Sequence, residues 1–123
     1  MTEGKFATSV SCMDGRIQLP LANWIKEKYS VDFVDAITEP GVDKTVAVNS
    51  NLESIKFKVG ISINAHKSEL IVISGHFDCA GNPVSDDEHI SQIKKGVEVI
   101  SSWNTGVKVI GVWVDNSWNV NVI

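Results

Sequence analysis

Basic residues are too few in this chain to suggest a nucleic-acid partner. Eleven Lys and Arg stand against fifteen Asp and Glu, a formal net charge of −4, whereas phosphate binding needs a basic footprint. The lysine pairs Lys26/Lys28, Lys56/Lys58 and Lys94/Lys95 read as solvated helix faces. No apolar run approaches the roughly 20 residues of a membrane span, so no membrane partner is expected. The stretch Met1–Lys5 lacks the charged-then-apolar pattern of a secretory signal. A reducing, cytoplasmic setting is expected. Internal repeats, low-complexity tracts and linkers are also missing. The expectation is one domain over residues 1–123, long enough for a real core and of ordinary globular composition, at 43% hydrophobic and 21% charged.

Cysteine is scarce too, and its two positions, Cys12 and Cys79, are the most informative in the chain. A single disulfide between them is a poor staple for a domain with this much apolar core. Both stand beside polar, chemistry-bearing residues, which favours a metal. The first lies in Cys12-Met13-Asp14-Gly15-Arg16, straight after an apolar run. The second closes His76-Phe77-Asp78-Cys79, straight after another. Two thiolates and one imidazole form a soft N/S set that suits zinc. Three protein ligands leave the fourth tetrahedral position for water or substrate, as in catalytic rather than structural sites. The reading requires that these three side chains meet in space.

The order of elements brings them together. Phe6 to Ser11 reads as a strand, and Pro20 to Tyr29 as a helix with proline at its start. Val31 to Thr38 reads as a strand, followed by a turn at Glu39-Pro40-Gly41. The stretch from Asn51 to Lys67 fits two periods. Ile55, Phe57, Val59, Ile61 and Ile63 alternate, while Leu52, Ile55, Val59, Ile63 and His66 form a helical stripe. Helix is preferred because parallel strands on either side need a crossover. Leu70 to Ser74 is a buried parallel strand. A helix from Ser85 to about Trp103 opens with a capping box, Ser85 and Glu88, with Asp86 and Asp87 at the positive end of its dipole. Val107 to Val114 and Trp118 to Ile123 form a closing hairpin.

The expected fold class is therefore α/β: three α-β-α layers, a mostly parallel central sheet of core order 2-1-3-4, and a C-terminal β-hairpin. Ligands in such sheets bind beyond the carboxyl ends of strands where the strand order reverses. In that order the strands ending at Cys12 and near His76 are neighbours.

Cys-x-Asp-x-Arg after the first strand and Gly-His-x-x-Cys after the third resemble the β-class carbonic anhydrases. Here the segments read Ser11-Cys12-Met13-Asp14-Gly15-Arg16 and Gly75-His76-Phe77-Asp78-Cys79-Ala80-Gly81. The resemblance covers roughly Phe6 to Val114. It implies Zn²⁺ held by Cys12, His76 and Cys79. It implies an Asp14–Arg16 pair that orients the zinc-bound water, with Asp14 itself a zinc ligand in some resting forms. The implied reaction is reversible hydration of CO₂ to bicarbonate, and the implied assembly is a homodimer or larger homo-oligomer with the site near the interface. Ala80 and the segment Ile37–Gly41 depart from the common family pattern. Two alternatives stay open: hydrolysis of an analogue such as COS or CS₂, and a zinc-binding protein on the same core that does not turn over CO₂.

Bland explanations account for most other polar residues. Asp78 reads as an exposed loop carboxylate. His66 and His89 read as ordinary helix residues, His89 being a weak proton-shuttle candidate. Asp86, Asp87 and Glu88 read as helix capping rather than a hard-metal site. Trp103, Trp113 and Trp118 read as core or interface. Backbone amides near Gly15 or Gly81 are candidates to support the ligand sulfurs.

Overall fold

The computed structural model describes residues 3–123. Met1 and Thr2, the first part of the stretch read as lacking a signal pattern, lie outside them. The elements run β1 (Phe6–Ser11), α1 (Gly15–Tyr29), β2 (Phe33–Thr38), α2 (Val42–Val48), α3 (Glu53–Asn64), β3 (Leu70–His76), α4 (Asp86–Ser101), β4 (Lys108–Val114) and β5 (Val120–Val122). The sheet order is β2-β1-β3-β4-β5. The first three pairings are parallel, and β4 with β5 is an antiparallel hairpin. This is the expected α/β class, core order and closing hairpin.

Each face of the sheet buries its own layer. Alternate strand residues point to opposite sides, so Ile71 and Ile73 of β3 join Val46, Ile55, Val59, Ile93 and Ile100 from α2, α3 and α4. Leu70 and Val72 face the other way and pack with Leu21 and Ile25 of α1. Every residue of β3 is buried, as its continuous apolar run requires. At about 25 cal/mol per Å² of apolar surface, each of these side chains contributes roughly 1.5–3 kcal/mol.

Strand ends differ from the sequence reading by a few residues, β3 running on to His76 and β5 shrinking to Val120–Val122, and two helices differ more. Helix α1 begins at Gly15 rather than Pro20. The carboxylate of Asp14 caps it by accepting from the Arg16 amide at 2.8 Å, so Pro20 lies inside the helix instead of opening it. An extra helix, α2, follows the turn at Pro40-Gly41. Its seven residues are too few for a clear apolar period, and it enters through Gly41 at φ +56°. The ambiguous stretch is helical, as α3. Ser85 caps α4, its hydroxyl accepting from the Glu88 amide at 3.1 Å. Asp86, Asp87 and Glu88 thus occupy the first turn, where the helix dipole favours them. Among the described residues no helix is long and apolar enough to cross a membrane.

Candidate metal centre

Strands β1 and β3 are hydrogen-bonded neighbours with Val10 opposite Ile73. From them the sheet is built outward in opposite directions, so their carboxyl ends flank the switch point. Cys12 is the first residue beyond β1, and His76 is the last residue of β3. Beyond His76 the Phe77 amide still bonds the Val114 carbonyl at 2.9 Å. Asp78 then adopts φ +59° and turns the chain back to Cys79.

The ligand atoms of Cys12, His76 and Cys79 all lie within 4.8 Å of one another, and all three residues are buried. The two sulfurs are 3.9 Å apart. Two sulfurs on one tetrahedral zinc, at Zn–S of about 2.3 Å, stand about 3.8 Å apart. The cysteines are free, and disulfide sulfurs would be about 2.05 Å apart.

The imidazole is prepared for the same task. His76 Nδ1 bonds the Phe77 carbonyl at 2.8 Å. A carbonyl only accepts, so Nδ1 carries the proton and Nε2 keeps its lone pair. Nε2 is buried, has no hydrogen-bond partner among the described residues, and lies 4.0 Å from Asp14 Oδ2. A second-shell acceptor that fixes the tautomer in this way is characteristic of metal-binding histidines.

The sulfurs also have supporting donors. The Gly41 amide donates to Cys12 Sγ at 3.4 Å, the Gly81 and Asn82 amides favour the Cys79 thiolate, and the Asn82 amide closes the turn by donating to the Cys79 carbonyl at 3.3 Å. Gly81 is one of the two expected positions. Gly41 takes the role considered for Gly15, because the turn before α2 folds over Cys12. Burial, and then the neighbouring Cys12 sulfur, push the Cys79 thiol up to about 11, against the pull of those two amides. Two thiolates side by side at a buried position lack a compensating charge, and a divalent cation supplies it. The donor set, its spacing and the orphaned imidazole nitrogen therefore fit zinc.

Asp14 and Arg16 form the rim. The guanidinium donates to both Asp14 carboxylate oxygens, from Nη2 to Oδ2 at 2.7 Å and from Nε to Oδ1 at 3.1 Å. Arg16 holds the Asp14 carboxyl down to about 2, chiefly through these side-chain bonds and against a smaller opposing effect of burial. Asp14 and Asp78 raise the already high basicity of Arg16. Asp78 is exposed, as expected. It is also bound to Arg16, through Oδ2 at 3.2 Å and its carbonyl at 3.0 Å. On the other side the guanidinium lies 5.0 Å from the centroid of the Trp118 ring. Trp113 is buried in the core, and Trp103 packs half-buried against it.

His89 departs from its reading as an ordinary helix residue. It is fully buried, and Nδ1 bonds the carboxylate of Asp43. No local signal identifies this partner, which lies 46 residues earlier. His66 is half-buried and paired with Asp35 at 2.7 Å.

The family described as "Putative carbonic anhydrase" matches residues 2–123, and the chain belongs to that family. The fold is similar to β-carbonic anhydrase isoform I of the protozoan Trichomonas vaginalis, with a TM-score of 0.68 and 17% identity over 94% of this chain and 81% of that one. It is similar to the β-carbonic anhydrase CafA of the fungal pathogen Aspergillus fumigatus, with a TM-score of 0.66 and 13% identity over 99% and 76%. The Coccomyxa β-carbonic anhydrase, solved in complex with acetazolamide, gives a TM-score of 0.59 and 14% identity over 99% and 72%. Comparison with the curated proteins finds no match.

Proposed function

We propose that this chain is a zinc-dependent carbonic anhydrase that reversibly hydrates CO₂ to bicarbonate. Cys12, His76 and Cys79 hold the metal, and Asp14 and Arg16 serve the reacting side. The observation that carries the reading is the buried Cys-His-Cys cluster with a 3.9 Å sulfur separation beside the paired Asp14 carboxylate.

Zinc, when bound, supplies a Lewis acid that makes hydroxide available near neutral pH. The chain does the rest by orientation. Asp14, kept ionised by Arg16, is a pure acceptor and would accept a hydrogen bond from the attacking oxygen, leaving a lone pair of that oxygen directed at the CO₂ carbon. Arg16 is anchored on three sides by Asp14, Asp78 and Trp118, so the carboxylate cannot rotate away without breaking several contacts. The Gly41 amide on Cys12 Sγ and the Asn82 amide on the Cys79 carbonyl hold the two ligand cysteines in place. Met13, Leu19 and Phe77 are large apolar side chains exposed close to the ligands in sequence. A second copy of the chain covers them in the proposed homo-oligomer and completes the pocket wall.

Stopped-flow CO₂ hydration on the zinc-loaded native oligomer tests the proposal. Activity should be lost in Cys12→Ser and fall roughly 10- to 100-fold in Asp14→Ala. Bound zinc with no hydration above buffer would contradict it and establish a binding protein. Turnover of COS or CS₂ in place of CO₂ would reassign the substrate.

A further inference from the structure

The Gly41 turn beside Cys12 and the turn that follows Cys79 touch each other. A Cβ placed on Gly41 would sit 2.7 Å from Asn82 Cβ and 2.8 Å from the Gly81 carbonyl oxygen. One placed on Gly81 would sit 3.0 Å from the Gly41 nitrogen. Close packing alone leaves the loops free to slide, and a buried polar cluster prevents this. Asn82 Nδ2 donates to Asp43 Oδ1 at 3.1 Å and to Gln92 Oε1 at 2.7 Å. Asp43 Oδ2 bonds His89 Nδ1. Asp43, Asn82 and His89 are each 1% exposed.

Asp43 stands at the centre of this cluster. It lies two residues after Gly41, whose amide serves Cys12. It holds the side chain of Asn82, whose backbone amide closes the Cys79 turn by donating to the Cys79 carbonyl at 3.3 Å. It also presses on β3 immediately before His76, since a Cβ on Gly75 would lie 2.5 Å from Asp43 Oδ2. One buried residue thus follows the Gly41 turn beside Cys12, holds the turn after Cys79 and abuts β3 before His76. Burying a carboxylate is costly unless its oxygens are bonded, and here both oxygens are used to tie α2, α4 and the Cys79 turn together.

We propose that Asp43, with Asn82 and His89, is a positioning unit for the metal centre, fixing the Gly41 amide against the Cys12 sulfur and the Asn82 amide in the turn that places Cys79. These residues act through the ligands and do not touch substrate. The inference rests on the reading of Cys12, His76 and Cys79 as the metal ligands.

The test measures Co²⁺ and Zn²⁺ affinity by competition with a chromophoric chelator, and the sulfur-to-cobalt charge-transfer band, on the full chain. Asn82→Ala should weaken binding about 10- to 100-fold and displace the band. Gln92→Met, which removes one acceptor of the Asn82 amide from a half-buried helix position, should give a severalfold loss in the same direction even if Asn82→Ala does not fold. His89→Gln, which retains a donor for Asp43, should restore affinity that His89→Leu loses. Unchanged affinity and an unchanged band in folded Asn82→Ala or in Gln92→Met would overturn the proposal. Cys12→Ser is the separate control. If it binds cobalt as tightly as the native chain, the ligand assignment itself fails.

Discussion

Replacing Arg16 with Met should expose how the rim of the centre is held. Methionine is a good helix former and fills much of the same volume, so α1 should persist with its Asp14 cap. The charge on Asp14 then loses its main support. Arg16 holds that carboxyl near 2 against an ordinary value of 3.8. At about 1.4 kcal/mol per tenfold in ionisation, the upper bound on this coupling is about 2.5 kcal/mol. The Arg16 side chain is 46% exposed, and solvent screening reduces the expected effect to about 1 kcal/mol. The sign follows from the direction of the shift. A carboxyl held low in the folded state adds stability that is complete above its unfolded value and disappears as pH falls through its folded value. Native and Arg16→Met chains should therefore differ by about 1 kcal/mol near neutral pH and converge as pH falls from about 4 to about 2. Urea unfolding of the metal-free chains across that range measures the gap. A gap that stays constant down to pH 2 would refute the argument and assign the role of Arg16 to its packing on Trp118.

Two further substitutions probe the frame. Gly41→Ala forces a left-handed residue to carry a Cβ 2.7 Å from Asn82, and should cost roughly 3 kcal/mol in thermal unfolding while weakening metal binding through the lost Cys12 contact. Ser85→Ala removes the α4 cap and should cost about 1 kcal/mol, with metal affinity unchanged because α4 remains packed on β3.

Strands β3 and β4 were legible because each is a short, largely apolar run. The fully buried β3, which ends at His76, is the clearest case. The candidate ligands Cys12 and His76 were brought together in the sequence reading because they stand at the ends of neighbouring strands. Helix α1 was read a turn late because Asp14 is at once its cap and the partner of Arg16. Helix α2 has too few residues to show a period. The cluster of Asp43, Asn82 and His89 had no sequence signature. Its bonds span 39 and 46 residues and form only when α2 and α4 pack on the same face of the sheet. The exposure of Asp78 was foreseeable, but its bond to Arg16 crosses 62 residues and depends on the turn at φ +59°.

The central claim is that Cys12, His76 and Cys79 together hold zinc. Elemental analysis of the chain purified under reducing, chelator-free conditions tests it most directly. The account predicts about one zinc per chain, lost in Cys12→Ser and in His76→Ala. A native protein that emerges without metal and takes up none on addition of zinc would contradict it.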